Sequence, residues 1–551
     1  MSRFDKYFSE AFGHLRPDVP DISELLKGER LWLIVGDFYG IQKFIFEGLA
    51  TKNASKVLRA RSAYIQIFTR VLAYRICDEL DIDIQNILST AAGKFEILSP
   101  VDPTEVLPEI AQKVDDHFIG RFYGLSGIGL TSVPCQISDF TDTGSYRRLR
   151  DTIAAKVEEG KFAKFSLPAR KSVLDYEEGL DNASLCRLCN LRKITHKEDR
   201  CDLCHDMVRL GEKLAKADTL AIVSDEAEIP VFDGYGVAFS ENHPFAIGTF
   251  AIAKEKSGEA DFWPISSYVC KDDEGAIVDF EELAKRAIRE KDGEKRGVEA
   301  LAVLKADVDD MGRFIRERDV TDSFENFATF SKGLDNFFSI EVPALMAKEY
   351  KDTYTIFAGG DDLFLIGAWH EMLDLAKDIT DEFERFTKKE LTLSLGIILV
   401  KPNTPVNYLA RKSEEALESS KEMAGKAAIT LFGETAKIKE YRKEGNAFCE
   451  TLKLTDTETM ELPAAFMYRL LELLDMRMYM KKDTNFFEGS MWKSKLNYAF
   501  RRNLFEKLGE DSKRKLQAQE LLKACNDMIE NYPEVARMVL SEFIYKRRKA
   551  S

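Results

Sequence analysis

Apolar runs and amphipathic stretches follow one another in a fixed order near the start of the chain. Residues 31–35 form a short apolar run typical of a buried strand. Residues 63–80 carry hydrophobic side chains at helical spacing, which predicts a helix, and residues 87–98 have the apolar–turn–apolar pattern of a hairpin. This order predicts a unit that mixes strands and helices.

The same order returns later in the chain. An apolar run at 301–304 is followed by an amphipathic stretch at 327–350 and a hairpin pattern at 354–366. Asp37 and Asp307 follow the two first strands, 270 positions apart. Matching order and spacing predict a duplicated α+β domain, the alternative being a coincidence between two ordinary strand–helix–hairpin segments.

Two further regions lie between and after these units. The segment between them holds a cluster of cysteines and a helical pattern at 206–217. Beyond Gly433 the pattern is helical, with helices predicted at 464–480, 493–508, 513–529 and 534–546. We therefore predict four domains, at 1–150, 151–290, 291–440 and 441–551.

The composition is that of a folded protein with several cores. Of the 551 residues, 45% are hydrophobic, yet no run approaches the roughly 18 apolar residues of a membrane span. Charged residues interrupt the first 20 positions, so we predict no secretion signal and a soluble, cytoplasmic protein. The net charge of −15 argues against general attraction to nucleic acid or membrane. Residues 481–551 carry 16 Lys and Arg against 10 Asp and Glu, so any polyanion contact is expected to be local.

Four of the nine cysteines form one motif. Cys186, Cys189, Cys201 and Cys204 make two Cys-x2-Cys pairs separated by eleven residues. Two such pairs can direct four thiolates onto one tetrahedral Zn²⁺, and closed four-cysteine sites are structural. The alternatives are four unrelated core cysteines or a single redox-active pair. The other cysteines are scattered, which is typical of reduced thiols.

The strongest candidate for chemistry is the second hairpin. Its turn reads Gly359-Gly360-Asp361-Asp362, and glycines beside two carboxylates allow a triphosphate and metal ions to approach the backbone. If the hairpin packs antiparallel to the strand at 301–304, Asp307 is expected to face Asp361. Three such carboxylates fit two Mg²⁺ (or Mn²⁺) ions about 3.5–4 Å apart, as nucleotidyl transfer requires. Solvated turns carry similar residues, so the motif needs the neighbouring strand to support it.

Two lysines are candidates for phosphate contacts. Lys421 lies near the end of a predicted helix, 407–423, and Lys426 precedes a strand-like stretch; either ammonium can reach the β and γ phosphates. In the first unit the metal positions hold Gly93 and Lys94. A charged lysine does not bind Mg²⁺, so the first unit is predicted to be non-catalytic, although it could hold a second nucleotide.

These features together resemble one family, the large subunit of type III CRISPR effector complexes in its Csm-type form, which is similar to palm polymerases and nucleotide cyclases. The matching segments are 36–45, 58–62, the four-cysteine cluster, 304–312, 359–362 and 393–396. The resemblance implies an α+β fold with two ferredoxin-like, nucleotide cyclase-like palm domains facing each other. It also implies a zinc-bearing insert between them and a C-terminal helical bundle.

The resemblance further implies an activity. Members of the family convert ATP to cyclic oligoadenylate messengers when target RNA pairs with the guide RNA, in complexes with Csm-type backbone and small subunits. Carried over to this sequence, Asp307 with the Val308 carbonyl, Asp361 and Asp362 would hold the metals. Lys421 would contact the triphosphate, and an acceptor ATP would lie across the interface with the first palm.

Many members of the family begin with a histidine-aspartate nuclease domain. The 30 residues before the first predicted strand are too few to encode one. The only His-Asp doublet, His205-Asp206, adjoins Cys204 of the cysteine cluster. We therefore expect no intrinsic single-strand DNase.

Other functions stay open at this point. A palm enzyme that makes a cyclic dinucleotide, or one that joins ATP to S-adenosylmethionine, would use the same carboxylates. Against the first, Asp362-Leu363 stands where diguanylate cyclases usually have Glu-Phe. The non-enzymatic alternative is a catalytically silent scaffold subunit. The retained aspartates argue against it, because adjacent carboxylates repel one another unless a cation is bound.

Overall fold

The computed structural model describes most of the chain after residue 21. The described residues are 22, 23, 25, 30–49, 54–142, 144–162, 185–252, 262–265, 268–291, 293–318, 320–456, 461–482, 487–508 and 511–550. The first 20 positions, on which the secretion prediction depends, lie outside them. No helix within the described ranges is long and apolar enough to cross a membrane.

The first α+β unit is built on a four-stranded antiparallel sheet. Its elements are β1 (Leu31–Tyr39), α1 (Ile41–Phe46), α2 (Ala54–Glu79), β2 (Ile87–Ala91), β3 (Lys94–Ser99), α3 (Val106–Phe122), β4 (Gly127–Cys135), α4 (Ile137–Thr141) and α5 (Ser145–Phe162). The strand order is β2-β3-β1-β4. Alternate residues of β1 are buried on opposite faces: Ile34 and Phe38 pack with α2 and α3, while Leu33 and Val35 pack with α5.

A second, smaller sheet follows in the segment between the units. The elements here are α6 (Asp202–Leu214), β5 (Thr219–Val223), β6 (Ile229–Phe232), β7 (Tyr235–Ala238), β8 (Ala246–Ala251), α7 (Phe280–Lys285), β9 (Arg289–Lys291) and β10 (Glu294–Arg296). The sequence prediction of a helical, zinc-binding insert found α6 and missed the sheet, whose order is β6-β7-β5-β8. The missed signal was Asp233-Gly234, which turns between two apolar runs with φ of 46° and 89°.

The second α+β unit repeats the strand order of the first and extends it. Its elements are β11 (Leu301–Val308), α8 (Met311–Glu317), α9 (Phe324–Asn336), α10 (Val342–Glu349), β12 (Thr353–Gly359), β13 (Asp362–Ala368), α11 (Trp369–Phe386), β14 (Leu393–Val400), α12 (Val406–Glu422), β15 (Ala428–Leu431) and β16 (Glu434–Lys437). The order is β12-β13-β11-β14-β15-β16, so the first four strands match β2-β3-β1-β4. The duplicated α+β fold predicted from the sequence is confirmed.

One predicted helix of the second unit is interrupted. The stretch 327–350 is not a single helix, because a π-helical turn at Phe337–Glu341 separates α9 from α10. Phe337 and Phe338 of this turn pack against Phe383, with ring centroids 5.2 and 5.8 Å apart. The wide turn therefore places two adjacent aromatic rings in the core, which the 3.6-residue period alone does not predict.

The C-terminal region is helical, as predicted. Its helices are α13 (Ile438–Glu440), α14 (Asn446–Thr455), α15 (Ala464–Lys482), α16 (Trp492–Asn503), α17 (Ser512–Asn531) and α18 (Pro533–Arg547). Leu304 and Leu365 of the second sheet share one buried core with Leu470 and Leu540 of these helices. The domain limits at 150, 290 and 440 stay a prediction.

The opposite face of the second sheet packs against the first unit. Val303 and Phe364 belong to the same core as the buried side of α2. The Phe364 ring lies 4.5 Å, centroid to centroid, from Phe46. Arg59 of α2 donates to the Tyr354 hydroxyl at 3.2 Å and to the Gly211 carbonyl at 2.7 Å, which ties together both units and α6. The two sheets and the cysteine-bearing segment therefore share a continuous interior.

Candidate functional site

The three predicted carboxylates lie at one end of the second sheet. β11 is flanked by β13 and β14, and its odd-numbered residues Leu301 and Val303 face the first unit. Asp307 follows the same alternation, so its carboxylate projects from the face that the first unit covers. The candidate site is therefore in the interface between the two units.

The strand register corrects one detail of the prediction. Asp307 pairs with Asp362 of β13, whereas Gly360 and Asp361 form the turn between β12 and β13. The prediction that Asp307 faces Asp361 is therefore wrong by one residue, because Asp361 lies in the two-residue turn and Asp362 is the first residue of β13. Directly paired residues share a face of the sheet, so Asp307 and Asp362 lie side by side.

Burial and mutual repulsion set the protonation of this cluster. Burial raises the pKa of Asp307, Lys421 partly opposes this rise, and Asp361 adds to it. Burial also raises the pKa of Asp362 to about 7. Lys305 opposes this rise, and the carboxylates of Asp361, Asp307 and Glu414 add to it. A divalent cation would favour the ionised form of Asp307 and Asp362, and carboxylate oxygens are the ligands that Mg²⁺ and Mn²⁺ take in proteins.

Two lysines supply the positive charge of the site. The Lys421 ammonium, in the last turn of α12, donates to Asp307 Oδ2 at 2.5 Å. Lys305 is 4% exposed and forms an ion pair with Glu414 of α12. Sequence reasoning missed Lys305 as a site residue. The available signal was a charged residue inside an apolar strand, two positions before Asp307 and hence on the same face.

The other predicted residues lie beside this cluster rather than in it. The Val308 side chain is buried on the opposite face, which leaves only its carbonyl to serve the site. Lys426 pairs with Asp310 at 2.7 Å. Asp309 accepts hydrogen bonds from Thr392 Oγ1 at 2.8 Å and Ser394 Oγ at 2.7 Å. It also accepts one from the Ala427 backbone N–H at 2.9 Å. Asp309 therefore joins β11 to β14 and to the loop before β15.

The glycine turn touches the matching hairpin of the first unit. Gly360 has a φ of +64°, which favours glycine. A Cβ atom on Gly360 would lie 3.3 Å from the Cβ atom of Ala92, in the turn between β2 and β3. Gly359 is also close to Ala92, at 3.7 Å on the same measure. The tips of the two hairpins therefore lie close together, and a side chain added at Gly360 would require Ala92 to shift by a few tenths of an ångström.

The equivalent position in the first unit has opposite charge. Asp37 is 6% exposed and pairs with Lys94 in the register that Asp307 shares with Asp362. The Lys94 ammonium lies 3.9 Å from Asp37 Oδ1, and that of Lys161 lies 3.4 Å from Oδ2. Two ammonium groups around one carboxylate leave no net negative charge for a metal ion; that this unit is non-catalytic stays a prediction.

Lys161 is the counterpart of Lys421. Lys161 lies in the last turn of α5, the second helix after β4, and Lys421 lies in the last turn of α12, the helix after β14. Each lysine contacts the aspartate of the first strand of its unit. The sequence comparison stopped at the hairpins and missed this pair. Their offset of 260 residues differs from the 270 of Asp37 and Asp307, so only the fold aligns them.

The four cysteines converge as predicted. Their sulfur atoms lie within 4.8 Å of one another, and all four residues are buried. Cys189 and Cys201 have sulfurs 3.9 Å apart, close to the roughly 3.8 Å edge of a tetrahedron with Zn–S bonds of about 2.3 Å. Hydrogen bonds from the thiols of Cys201 and Cys204 lower the pKa of Cys189. The site therefore fits a tetrahedral Zn²⁺.

A buried arginine lies next to these thiols. Arg61 donates to the backbone carbonyls of Phe44 at 2.9 Å and Glu47 at 2.7 Å, at the end of α1. Burial lowers its pKa to about 10, and the thiols of Cys204 and Cys189 oppose this shift. The negative charge of a thiolate cluster would therefore compensate the positive charge of the buried Arg61 guanidinium.

A second group of metal-ligating residues lies close by but has different geometry. His196, Glu198 and His205 lie within 4.8 Å of one another. The two imidazole rings are stacked, 3.9 Å apart with an interplanar angle of 6°. Parallel rings direct their lone pairs side by side rather than at one point, and His196 Nε2 instead contacts Asp202 at 2.8 Å. This arrangement does not favour a shared ion.

Two family models match the chain, one on each α+β unit. The family model described as Cas10/Cmr2, second palm domain, matches residues 300–430, and that of the Csm1 subunit domain B matches residues 30–178. This similarity relates the two units to domains of the Cas10/Csm1 large subunits of type III-A CRISPR systems. The second match covers the first sheet and the first covers the sheet with the carboxylates, so the duplicated unit is a pair of palms.

Curated relatives support this assignment. A Streptococcus thermophilus protein named single-strand-specific deoxyribonuclease Cas10/Csm1 (subtype III-A) is 26% identical over 477 residues, which cover 82% of this chain and 60% of the relative. A Methanocaldococcus jannaschii protein of the same name is 27% identical over 454 residues, 71% of this chain and 56% of the relative. The chain thus spans less than two thirds of the length of these relatives.

Solved structures show the same fold. A Csm1–Csm4 cassette in complex with one ATP has a TM-score of 0.68 at 22% identity, covering 93% of this chain and 70% of the other. A Csm1–Csm4 cassette in complex with cA4 has a TM-score of 0.65 at 21% identity, covering 92% of this chain and 70% of the other. The overall fold of this chain is therefore similar to that of the Csm1–Csm4 cassettes.

Proposed function

We propose that this chain is the nucleotidyltransferase subunit of an RNA-guided type III-A CRISPR complex and converts ATP to cyclic oligoadenylates when target RNA binds. The observation that carries the proposal is the pairing of Asp307 with Asp362 beside Asp361, a half-buried carboxylate cluster that a divalent cation would neutralise. The structurally similar Csm1–Csm4 cassettes in complex with ATP, cA3 and cA4 support the choice of substrate and product.

In this proposal the residues of the second palm have distinct roles. Asp307, Asp361 and Asp362 hold Mg²⁺ or Mn²⁺, with the Val308 carbonyl as a further ligand. Two such ions would activate the attacking hydroxyl and neutralise the pyrophosphate leaving group. Lys421, which pairs with Asp307 in this structure, would contact the triphosphate once a cation neutralises that carboxylate.

The first palm would hold the acceptor ATP. Its Lys94 and Lys161 place two ammonium groups around Asp37, which gives an excess of positive charge suited to phosphates. Gly359 and Gly360 lie where the hairpin tips meet, so a nucleotide held between the palms would lie beside this turn. Lys426 is a weaker candidate for a phosphate contact, because its ammonium pairs with Asp310.

The remaining assignments complete the proposal. Zn²⁺ on Cys186, Cys189, Cys201 and Cys204 would be structural. The Csm-type backbone and small subunits, the guide RNA and the target RNA would be the partners, and the complex would act in the cytoplasm. The relatives are named deoxyribonucleases; that this chain has no histidine-aspartate nuclease activity stays a prediction.

The test is product analysis with the assembled complex. The chain, its partner subunits and guide RNA are incubated with labelled ATP and Mg²⁺, with and without complementary RNA. We expect cyclic oligoadenylate only with target RNA, and a loss of roughly a hundredfold or more for Asp361→Ala/Asp362→Ala. Asp272→Ala/Asp273→Ala, an adjacent aspartate pair in an insert turn, is the matched control and should keep activity.

Other products would redirect the proposal. Product formed only when S-adenosylmethionine or GTP is added would retain the metal site and change the messenger. Absence of any product, together with absence of Mn²⁺ binding by the wild-type chain, would instead indicate a scaffold subunit.

A further inference from the structure

A fourth carboxylate contacts the glycine turn of the site. Asp335 lies near the end of α9, and its Oδ1 accepts a hydrogen bond from the Gly360 backbone N–H at 3.2 Å. A Cβ atom on Gly359 would lie 3.3 Å from the same oxygen. Burial raises the pKa of Asp335, and the Gly360 N–H and Lys332 oppose the rise. None of the sequence motifs includes this residue.

The backbone that carries Asp335 leads into a π-helical turn. The π-helical turn at Phe337–Glu341 begins two residues later, and the Ser339 hydroxyl donates to the Asp335 carbonyl at 2.6 Å. Two aromatic rings of this turn pack in the core against α11. Single π turns within helices are rare and frequently mark functional sites. The Asp335 carboxylate is therefore presented to the turn from a rigid support.

The contact from the first palm is also unusual. Ala92 has a φ of +49°, a left-handed conformation that favours Gly, Asn or Asp at such hairpin turns. Glycine at this position would relieve the strain but would remove the methyl group that touches Gly359 and Gly360. Strained residues of this kind persist where the surrounding structure requires them, often at functional sites.

We propose that Asp335 is a positioning residue for nucleotidyl transfer: it holds the Gly359–Gly360 peptide by its hydrogen bond, while the Ala92 methyl packs on the same turn. Fixing this peptide fixes the separation of Asp361 and Asp362 from Asp307, and with it the metal site. The inference rests on the proposed function and names how the second palm keeps its carboxylates in place. Through the Ala92 methyl group, the first palm would also help to fix the geometry of the metal site in the second palm.

The test compares Asp335→Ala, Asp335→Asn and Ala92→Gly. The Asn amide oxygen can accept the same N–H without carrying charge, so we expect Asp335→Asn to stay within about twofold of wild type. Asp335→Ala should lower kcat by about five- to tenfold with little change in the KM for ATP, since one hydrogen bond is lost. Ala92→Gly should give a smaller loss, of about two- to threefold.

A second readout does not depend on activity. Mn²⁺ binding to each folded chain is titrated in the absence of ATP, and Asp335→Ala should require about fivefold more Mn²⁺ than wild type or Asp335→Asn. Thermal unfolding confirms that each variant is folded; if Asp335→Ala does not fold, Asp335→Asn and Ala92→Gly still carry the test.

Three results would overturn the inference. Wild-type behaviour of Asp335→Ala in both assays would remove any positioning role. An equal defect in Asp335→Asn and Asp335→Ala would mean that the charge acts, rather than the hydrogen bond. An unchanged Ala92→Gly would remove the contribution of the first palm. If wild type binds Mn²⁺ but makes no product, the proposed function fails while the metal titration still decides the role of Asp335.

Discussion

Asp307 and Asp37 occupy the same place in two sheets of the same order, and their neighbours decide what each can bind. Asp307 has two further carboxylates beside it, Asp361 and Asp362. Asp37 has two lysines. One difference in the third strand, Asp362 in the second unit against Lys94 in the first, therefore separates the proposed cation site from the proposed phosphate site.

The protonation of Asp362 gives a prediction at the scale of single residues. Since its pKa is raised to about 7 in the folded chain, Mn²⁺ must displace a proton below that pH. Apparent Mn²⁺ affinity should therefore rise by up to about tenfold per pH unit until about pH 7 and level off above it. Asp362→Asn should bind Mn²⁺ more weakly and lose this pH step, as measured by Mn²⁺ titration between pH 5.5 and 8.5.

The Asp362 carboxyl group also makes the stability of the folded chain depend on pH. Its folded pKa lies above the unfolded value of about 3.9, so the folded state holds the proton more tightly. In the absence of metal this stabilisation is complete below about pH 4 and is lost as the pH rises towards 7. A metal-free wild-type chain whose stability changed with pH no differently from that of Asp362→Asn would contradict both predictions.

At the scale of elements, the contact between β14 and α12 positions Lys421. Gly396 of β14 lies against the helix backbone: a Cβ atom there would be 2.3 Å from Leu417 N and 2.7 Å from Ser413 O. Backbone atoms cannot move aside as a flexible side chain can. Glycine at this position therefore allows the helix to approach the sheet closely enough for Lys421 to contact Asp307.

Gly396→Ala should separate α12 from the sheet. Overpacking of this kind costs about 1–3 kcal/mol, so the thermal midpoint should fall by several degrees. Nucleotidyl transfer should fall with it, because Lys421 moves with the helix. Gly120→Ala is the control: Gly120 lies within α3 with no atom near the added Cβ, and its replacement should be neutral or stabilise by about 0.5–1 kcal/mol. Equal midpoints for the two variants would contradict this account.

At the scale of the whole molecule, the cysteine cluster lies in the core that joins the first palm, the insert and the covered face of the second sheet. Arg61 connects the cluster to the end of α1. Removing the proposed Zn²⁺ would leave four thiols and one guanidinium buried without their charge partner. The loss should therefore affect the assembly of the palms as well as the local turn.

We predict one Zn²⁺ per chain by elemental analysis. Cys189→Ser/Cys204→Ser should abolish zinc binding and lower the thermal midpoint by at least about 5 °C, because metal binding contributes folding free energy. Cys449→Ser is the matched control, since Cys449 lies on α14 outside the cluster and should keep both zinc and stability. A zinc-free wild-type chain that melts at the same temperature as the zinc-loaded one would refute the assignment.

The sequence by itself determined the elements whose signals are local. Apolar runs predicted β1 and β11, the Gly359-Gly360-Asp361-Asp362 turn predicted the hairpin of β12 and β13, and the paired Cys-x2-Cys motifs predicted a cluster that the structure brings together. The repeat was visible because two strand–helix–hairpin units kept the same order. These features follow from neighbouring residues, whose spacing fixes their geometry without reference to the rest of the chain.

Only the tertiary structure decided which distant side chains meet. The register set Asp307 against Asp362, the end of α12 placed Lys421 on Asp307, and α9 brought Asp335 to Gly360, contacts between residues 25 to 114 positions apart. The pairing of Lys161 with Lys421 likewise required two folded sheets to be superimposed. Such contacts depend on strand register and helix packing. Both are set by the packing energy of the assembled core, so no local pattern in the sequence predicts them.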